Sequence, residues 1–159
     1  MSRAPITVTN LTGGYNGTAV IHNCNMQIAA GEIVVIMGGS GSGKSTFLRH
    51  LIGLKPPMEG DVQLFGESLY SVDEIARLRL LKGIGVAFQS GALLSSLTVA
   101  ENVALPLIEH SELDRETIGV IVRMKLDFVG LLGKEDLLPS ELSGGMLKRV
   151  AVALSLIHI

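Results

Sequence analysis

Cysteine is almost missing from this 159-residue chain: Cys24 stands alone, so no internal disulfide can form, and the usage fits a reducing compartment. Charge of one sign is also scarce. The formal net charge is −2, which gives no basic footprint for nucleic acid. No apolar run approaches the roughly 18–20 residues of a membrane span. The start, Met1-Ser2-Arg3-Ala4-Pro5, lacks the apolar core of a secretory signal. Repeats, low-complexity tracts and Cys/His clusters with metal-ligand spacing are absent as well. The expectation is a cytosolic chain that meets a membrane only through a partner. What is plentiful is apolar side chains and glycine, at 47% hydrophobic with 19 glycines. A mean hydropathy of +0.45 is high for a complete soluble domain, and the length suits one domain or part of a larger one.

The most informative stretch is Ile33-Val34-Val35-Ile36-Met37-Gly38-Gly39-Ser40-Gly41-Ser42-Gly43-Lys44-Ser45-Thr46. An apolar run enters a glycine-rich loop that ends in Lys-Ser-Thr, and an amphipathic segment follows. This is the phosphate-binding pattern G-x-x-x-x-G-K-[ST] in a strand–loop–helix setting. Polyphosphate needs close, fixed hydrogen-bond donors. Glycines let backbone N–H groups approach, and the helix start near Lys44 adds partial positive charge. Lys44 brings a full charge, and the Ser45 hydroxyl suits Mg²⁺, a hard cation that prefers oxygen.

Around this stretch, Ile6–Leu11 and Ala19–Ala29 alternate like half-buried strands, with turn chemistry over Thr12–Gly17 between them, and predict a hairpin. Tyr15 falls in that turn. Its residue type alone favours packing over the hairpin, with stacking on a flat ring as the alternative. Phe47, Leu48, Leu51 and Ile52 predict the buried face of a helix with Arg49 and His50 opposite, ended by Gly53 and Pro56-Pro57. Asp61–Phe65 and Ile84–Phe88 read as strands, and Val72–Lys82 as a helix. Val99–Ile108 reads as a helix interrupted by Pro106, and Arg115–Val129 as another. Near the end, Glu141-Leu142-Ser143-Gly144-Gly145-Met146 opens a further helix with Ser143 as its N-cap. Two glycines in a first turn weaken a helix by roughly 1 kcal/mol each. Their presence points to close approach of a ligand at a second amide-lined helix tip.

The phosphate loop, Phe88-Gln89 at the end of an apolar run, and Leu142-Ser143-Gly144-Gly145 occur in that order. Together they resemble the ATP-binding-cassette (ABC) ATPases over nearly the whole chain. The resemblance implies an α/β P-loop NTPase fold in three parts: an N-terminal antiparallel β-subdomain (1–32), a partial RecA-like phosphate-loop core (33–89) and an α-helical signature subdomain (90–159). It implies ATP hydrolysis with ATP and Mg²⁺. Tyr15 matches the aromatic that stacks on adenine, which reverses the reading from residue type. Gly38, Gly39, Ser40, Gly41, Ser42, Gly43, Lys44, Ser45 and Thr46 match the nucleotide loop. Gln89 matches the glutamine that reaches Mg²⁺ and the attacking water. Leu142, Ser143, Gly144, Gly145 and Met146 match the signature, which contacts ATP held by a second copy of the cassette.

Phe88–Leu94, Leu97–Val103 and the Met146 ending of the signature are similar to Mla/Mce-type cassettes. These drive phospholipid or other hydrophobic-lipid transport with a membrane permease and an Mce-domain lipid-binding protein. The resemblance places permease docking near Gln89–Pro106 and the protein on the cytoplasmic face of the inner membrane. Other readings are a cassette for an amino acid or peptide, a soluble ABC protein without a permease, and a plain phosphate-loop kinase. The kinase leaves the Ser143 motif unexplained. The family also calls for an apolar strand ending in Asp-Glu and a switch histidine after the signature helix. Neither is found, His158 follows too closely to serve, and Val152–Ile159 departs from the expected continuation. The resemblance therefore implies a truncated frame lacking the C-terminal part of the core. Such a chain is expected to expose apolar strand surface, to be marginally stable and to hydrolyse ATP poorly alone.

Overall fold

The computed structural model describes residues 4–88 and 92–157, which fall into two compact units, Met1–Leu81 and Lys82–Ile159. The first unit is built on β1 (Ile6–Tyr15), β2 (Thr18–Ile28), β3 (Glu59–Leu64) and β4 (Glu67–Ser68). These form one four-stranded antiparallel sheet in the order β2-β1-β3-β4. The sheet thus takes strands from both before and after the phosphate loop.

The expected hairpin is present, but its turn is tighter than the glycine-rich stretch suggested. β1 continues through Gly13 and Gly14 to pair Tyr15 with Thr18. Only Asn16 and Gly17 turn, at φ 50° and 78°, the two positive values that a type I′ hairpin needs. Irregular register between Val8 and Gly14 twists β1 on its way to Tyr15. Val8, Leu11, Val62 and Leu64 face inward and are buried.

The helix after the loop, α1 (Lys44–Leu51), buries Thr46, Phe47, His50 and Leu51. This rotates the face read from the sequence. His50 lies fully inside, whereas Leu48 is exposed. The imidazole is tolerated because Nδ1 donates to the Lys55 carbonyl at 2.8 Å. Gly13 makes the space: a Cβ there would fall 2.1 Å from His50 Nε2. The unit closes with α2 (Glu74–Lys82).

Two expected strands lack ladders. Among the described residues, neither Ile33–Met37 nor Ile84–Phe88 is paired, and every strand pairing is antiparallel. Ile33, Val35 and Met37 are 91%, 71% and 86% exposed. An apolar run specifies a buried strand only when neighbours supply its hydrogen bonds and cover its faces. The uncovered apolar surface expected from the sequence is therefore present here.

The second unit packs α3 (Val99–His110), α4 (Arg115–Phe128) and α5 (Gly144–Ser155) around Val103, Leu107, Val122, Leu126 and Val150. Each helix starts on a side-chain cap. Thr98 and Glu101 form a reciprocal capping box, Asp114 accepts from Thr117 N–H at 2.8 Å, and Ser143 from Met146 N–H at 3.3 Å. Pro106 does not interrupt α3, which runs through it to His110. Proline removes one donor from a helix interior, and burial of Val99, Val103 and Leu107 along one face holds the helix despite that loss. Among the described residues no helix is long and apolar enough to cross a membrane.

Candidate nucleotide-binding site

The phosphate loop delivers α1 with its tip open. Gly43 is the N-cap at φ 91°, a conformation that a side chain would strain. A Cβ there would also press on Val20 and Ile21 of β2, at 3.2 and 3.3 Å. Among the described residues no side chain caps the helix. Among the described residues, the first α1 amide bonded to a loop carbonyl is that of Phe47, to Gly43 at 2.8 Å. The amides before it are the unpaired donors that a helix start presents to an anion.

Lys44 is held over this tip. Its Nζ donates to the carbonyls of Gly38 and Gly39, both at 2.7 Å, and to Ser42 Oγ at 3.3 Å. The loop thus wraps its own cation. Gly38 and Ser42 approach so closely that a Cβ on Gly38 would sit 2.6 Å from Ser42 Oγ. Gly39 and Ser40 are exposed on the outer turn.

Tyr15, Val20, Gly41, Ser42, Gly43, Lys44, Ser45 and Thr46 line one cavity of about 320 Å³. The end of β1 and the start of α1 therefore bring an aromatic ring, a cation, two hydroxyls and bare amides to a single hollow. Hydrogen bonding to Thr46 and to the Arg49 guanidinium holds the Tyr15 phenol below its usual pKa.

In the helical unit, Ser143, Gly144 and Gly145 are exposed at the start of α5, with Leu142 buried beneath them. A Cβ on either glycine would meet nothing from elsewhere in the described chain. Met146 is half-buried. Arg149, one turn on, donates to the carbonyls of Val129 and Gly130 at 3.0 Å each and ties α5 to the end of α4. Gln89 lies outside the described residues, as do its neighbours Ser90 and Gly91.

Sequence reasoning passed over several residues that shape these places. Arg49 and Lys55 surround Tyr15, and no local pattern announces a contact spanning 34 residues. Asn102 is buried and fixes the segment before α3: its Oδ1 accepts from Leu94 N–H at 2.7 Å, and its Nδ2 reaches the carbonyls of Leu94, Leu97 and Thr98. The Thr98-x-x-Glu101 capping box beside it was readable from spacing.

The sequence model of the ABC transporter family matches residues 21–158. The chain belongs to the ABC transporter family. It is 40% identical over 153 residues to the intermembrane phospholipid transport system ATP-binding protein MlaF of Haemophilus influenzae, covering 96% of this chain and 58% of that relative. It is also 40% identical over 154 residues to the probable ribonucleotide transport ATP-binding protein mkl of Mycobacterium leprae, covering 96% of this chain and 44% of the relative. This ABC-family chain thus spans about half the length of the curated relatives it matches. The solved dimer of the ATP-binding cassette MJ0796 with ADP and phosphate superposes with a TM-score of 0.86 at 33% identity, covering 95% of this chain and 68% of that one. The fold is accordingly that of the ABC cassettes, here as a partial cassette.

Proposed function

We propose that this chain is the nucleotide-binding portion of a transporter cassette that binds ATP with Mg²⁺ and, in the whole protein, hydrolyses it to drive phospholipid transport. The observation that carries the reading is the shared hollow at the α1 tip, lined by Tyr15, Lys44, Ser45 and Thr46. In this reading Tyr15 takes the adenine face, residues 38–46 cradle the phosphates, and Lys44 exchanges its loop carbonyls for β/γ-phosphate oxygens. The α1 dipole and free amides add to the same field.

The donor set at the tip fits Mg²⁺. Ser45 offers a hydroxyl in the same cavity as Lys44, and Mg²⁺ is held by few protein oxygens together with substrate phosphates. When bound, Mg²⁺ neutralises charge on the phosphate oxygens. Gln89 is assigned to the ion and the attacking water.

The α5 tip, with Ser143, Gly144 and Gly145 exposed, is assigned to the γ-phosphate held by a second copy of the cassette. Gly144 and Gly145 serve that approach, since nothing in the described chain occupies the space a Cβ would take. The segment near Gln89–Pro106 is assigned to a membrane permease, with an Mce-type lipid-binding protein as further partner and the cytoplasmic membrane face as location. The likeness to MlaF supports a phospholipid cargo. The equal identity to a relative named for ribonucleotide transport supports a second reading, the same cassette serving another cargo.

Photo-crosslinking with an azido-adenine ATP analogue tests the nucleotide site. Label that unmodified ATP competes away, on the peptide carrying Tyr15, is the expected result. Label spread over unrelated surface, or indifferent to competing ATP, would overturn the assignment. Co-purification with the permease and assay of bound lipid separates the two cargo readings.

A further inference from the structure

Two positively charged side chains outside the phosphate loop converge on Tyr15. Arg49, on the exposed side of α1, donates from Nη1 to the Tyr15 hydroxyl at 2.5 Å. Lys55, just past the end of α1, places Nζ 3.7 Å from the centroid of the same ring. One edge and one face of the aromatic are thereby taken by cations, although the residue as a whole remains 38% exposed.

The Lys55 backbone is held from several directions. Its N–H donates to the Arg49 carbonyl at 3.2 Å. Its own carbonyl accepts from His50 Nδ1 at 2.8 Å and from the Tyr70 hydroxyl at 2.6 Å. Tyr70 Oη also lies 2.6 Å from the His50 carbonyl, and Arg77 donates to the Gly53 carbonyl in the same turn. His50 in turn sits against Gly13, two residues before Tyr15 on β1. One buried imidazole therefore touches the strand that carries Tyr15 and fixes the backbone that carries Lys55. The ammonium lies over the ring because both ends of the contact are registered on His50.

We propose that Lys55 and Arg49 are positioning residues for a purine base: they lock the Tyr15 ring, cover one face and leave the other for the base of a bound nucleotide. This rests on the reading of Tyr15 as the base-stacking residue. Aromatic faces are electron-rich, so two stacked rings repel through their quadrupoles unless offset. An ammonium on the far face draws π density toward itself and weakens that repulsion on the open face. Arg49 holds the hydroxyl end, so the ring does not swing away when the hollow is empty. Neither side chain is assigned to phosphate.

The test compares ATP with inorganic tripolyphosphate, which lacks a base, by titration calorimetry on the full chain. Lys55→Gln is expected to weaken ATP by about two- to fivefold, the scale of an exposed cation–π contact, and to leave tripolyphosphate unchanged. Lys55→Arg should restore most of the loss, and Arg49→Gln should repeat it. The hydrogen bonds of Lys55 noted above are all made by its backbone, so these side-chain changes keep the turn. If Tyr15→Ala leaves the ATP-to-tripolyphosphate ratio unchanged, the stacking reading fails and the proposal with it. If Tyr15→Ala lowers the ratio and neither Lys55→Gln nor Arg49→Gln does, stacking stands and the positioning role is overturned. Equal weakening of both ligands by Lys55→Gln would make Lys55 a general phosphate attractor and also overturn it.

Discussion

Helices α1 and α5 both begin at glycine-rich turns, yet they close those turns in different ways. At α1 the cap is Gly43 in a left-handed conformation, with no side chain to satisfy the first amides and with Lys44 folded back over the loop. At α5 the cap is Ser143, whose hydroxyl accepts from Met146 N–H. The first arrangement carries its own positive charge and offers its first amides no side-chain acceptor from the N-cap, which suits it to an anion. The second is a finished helix start that still has open space above Gly144 and Gly145. In the proposed reading the first tip grips the nucleotide and the second completes a grip made by another copy.

The largest difference should appear in ATP affinity. Lys44→Ala removes the full charge folded over the α1 tip, and a charge-assisted hydrogen bond contributes about 2 kcal/mol, so calorimetry should record a loss of about thirtyfold. Ser143→Ala in the same assay, at concentrations where the chain is a monomer, should change ATP affinity by less than about twofold. Equal losses in the two variants would erase the distinction between the tips.

A smaller effect is expected in the scaffold of the helical unit. Asn102→Ala removes the donor and acceptor that hold Leu94, Leu97 and Thr98. Leaving such groups unpaired costs about 1–3 kcal/mol. Urea unfolding followed by circular dichroism should report that loss, with nucleotide affinity at the α1 tip unaltered. Ser143→Ala should cost α5 about 1 kcal/mol as a lost N-cap. A Ser143→Ala variant as stable as the parent would mean that the hydroxyl does not cap α5 in solution.

The two tips were legible in the sequence because each is written within a few consecutive residues. Glycine spacing, Lys44-Ser45 and the Ser143 cap depend on local backbone geometry. The resemblance added a proposed role for Tyr15, one that residue type alone argued against. The clamp around Tyr15 was not legible: Arg49 and Lys55 meet the ring only because β1 runs on through its irregular stretch and His50 turns inward against Gly13. The inward turn of His50 also defeated the helical-face reading of α1, since an apolar pattern cannot announce that a backbone carbonyl and a missing Cβ will accommodate an imidazole. Ile33–Met37 misled in another way. Its composition specifies a strand, but a strand exists only as part of a ladder, and ladder partners are not a property of the segment itself.

The smallest effect separates the two tyrosines. Tyr15 has its phenol pulled below the ordinary value of 10.0 by Thr46 and Arg49, whereas burial pushes Tyr70 up to about 12. Linkage then acts in opposite senses. Below pH 10 the Tyr70 hydroxyl is protonated in both folded and unfolded chains, and its contribution is fully present. Between about pH 10 and 12 the unfolded chain loses this proton while the folded chain keeps it, so stability falls as pH rises through that window. Tyr15 ionises first in the folded chain, so its contribution grows as pH rises toward 10. Phenolate absorbance should therefore show two separate steps, the lower one moved upward by Arg49→Gln and the upper one abolished by Tyr70→Phe. That last variant also removes the donor to the Lys55 carbonyl. If the lower step then shifts as well, the turn that carries Lys55 is held by Tyr70; if it stays in place, the remaining contacts from His50, Arg49 and Arg77 are sufficient to keep the ammonium over the ring.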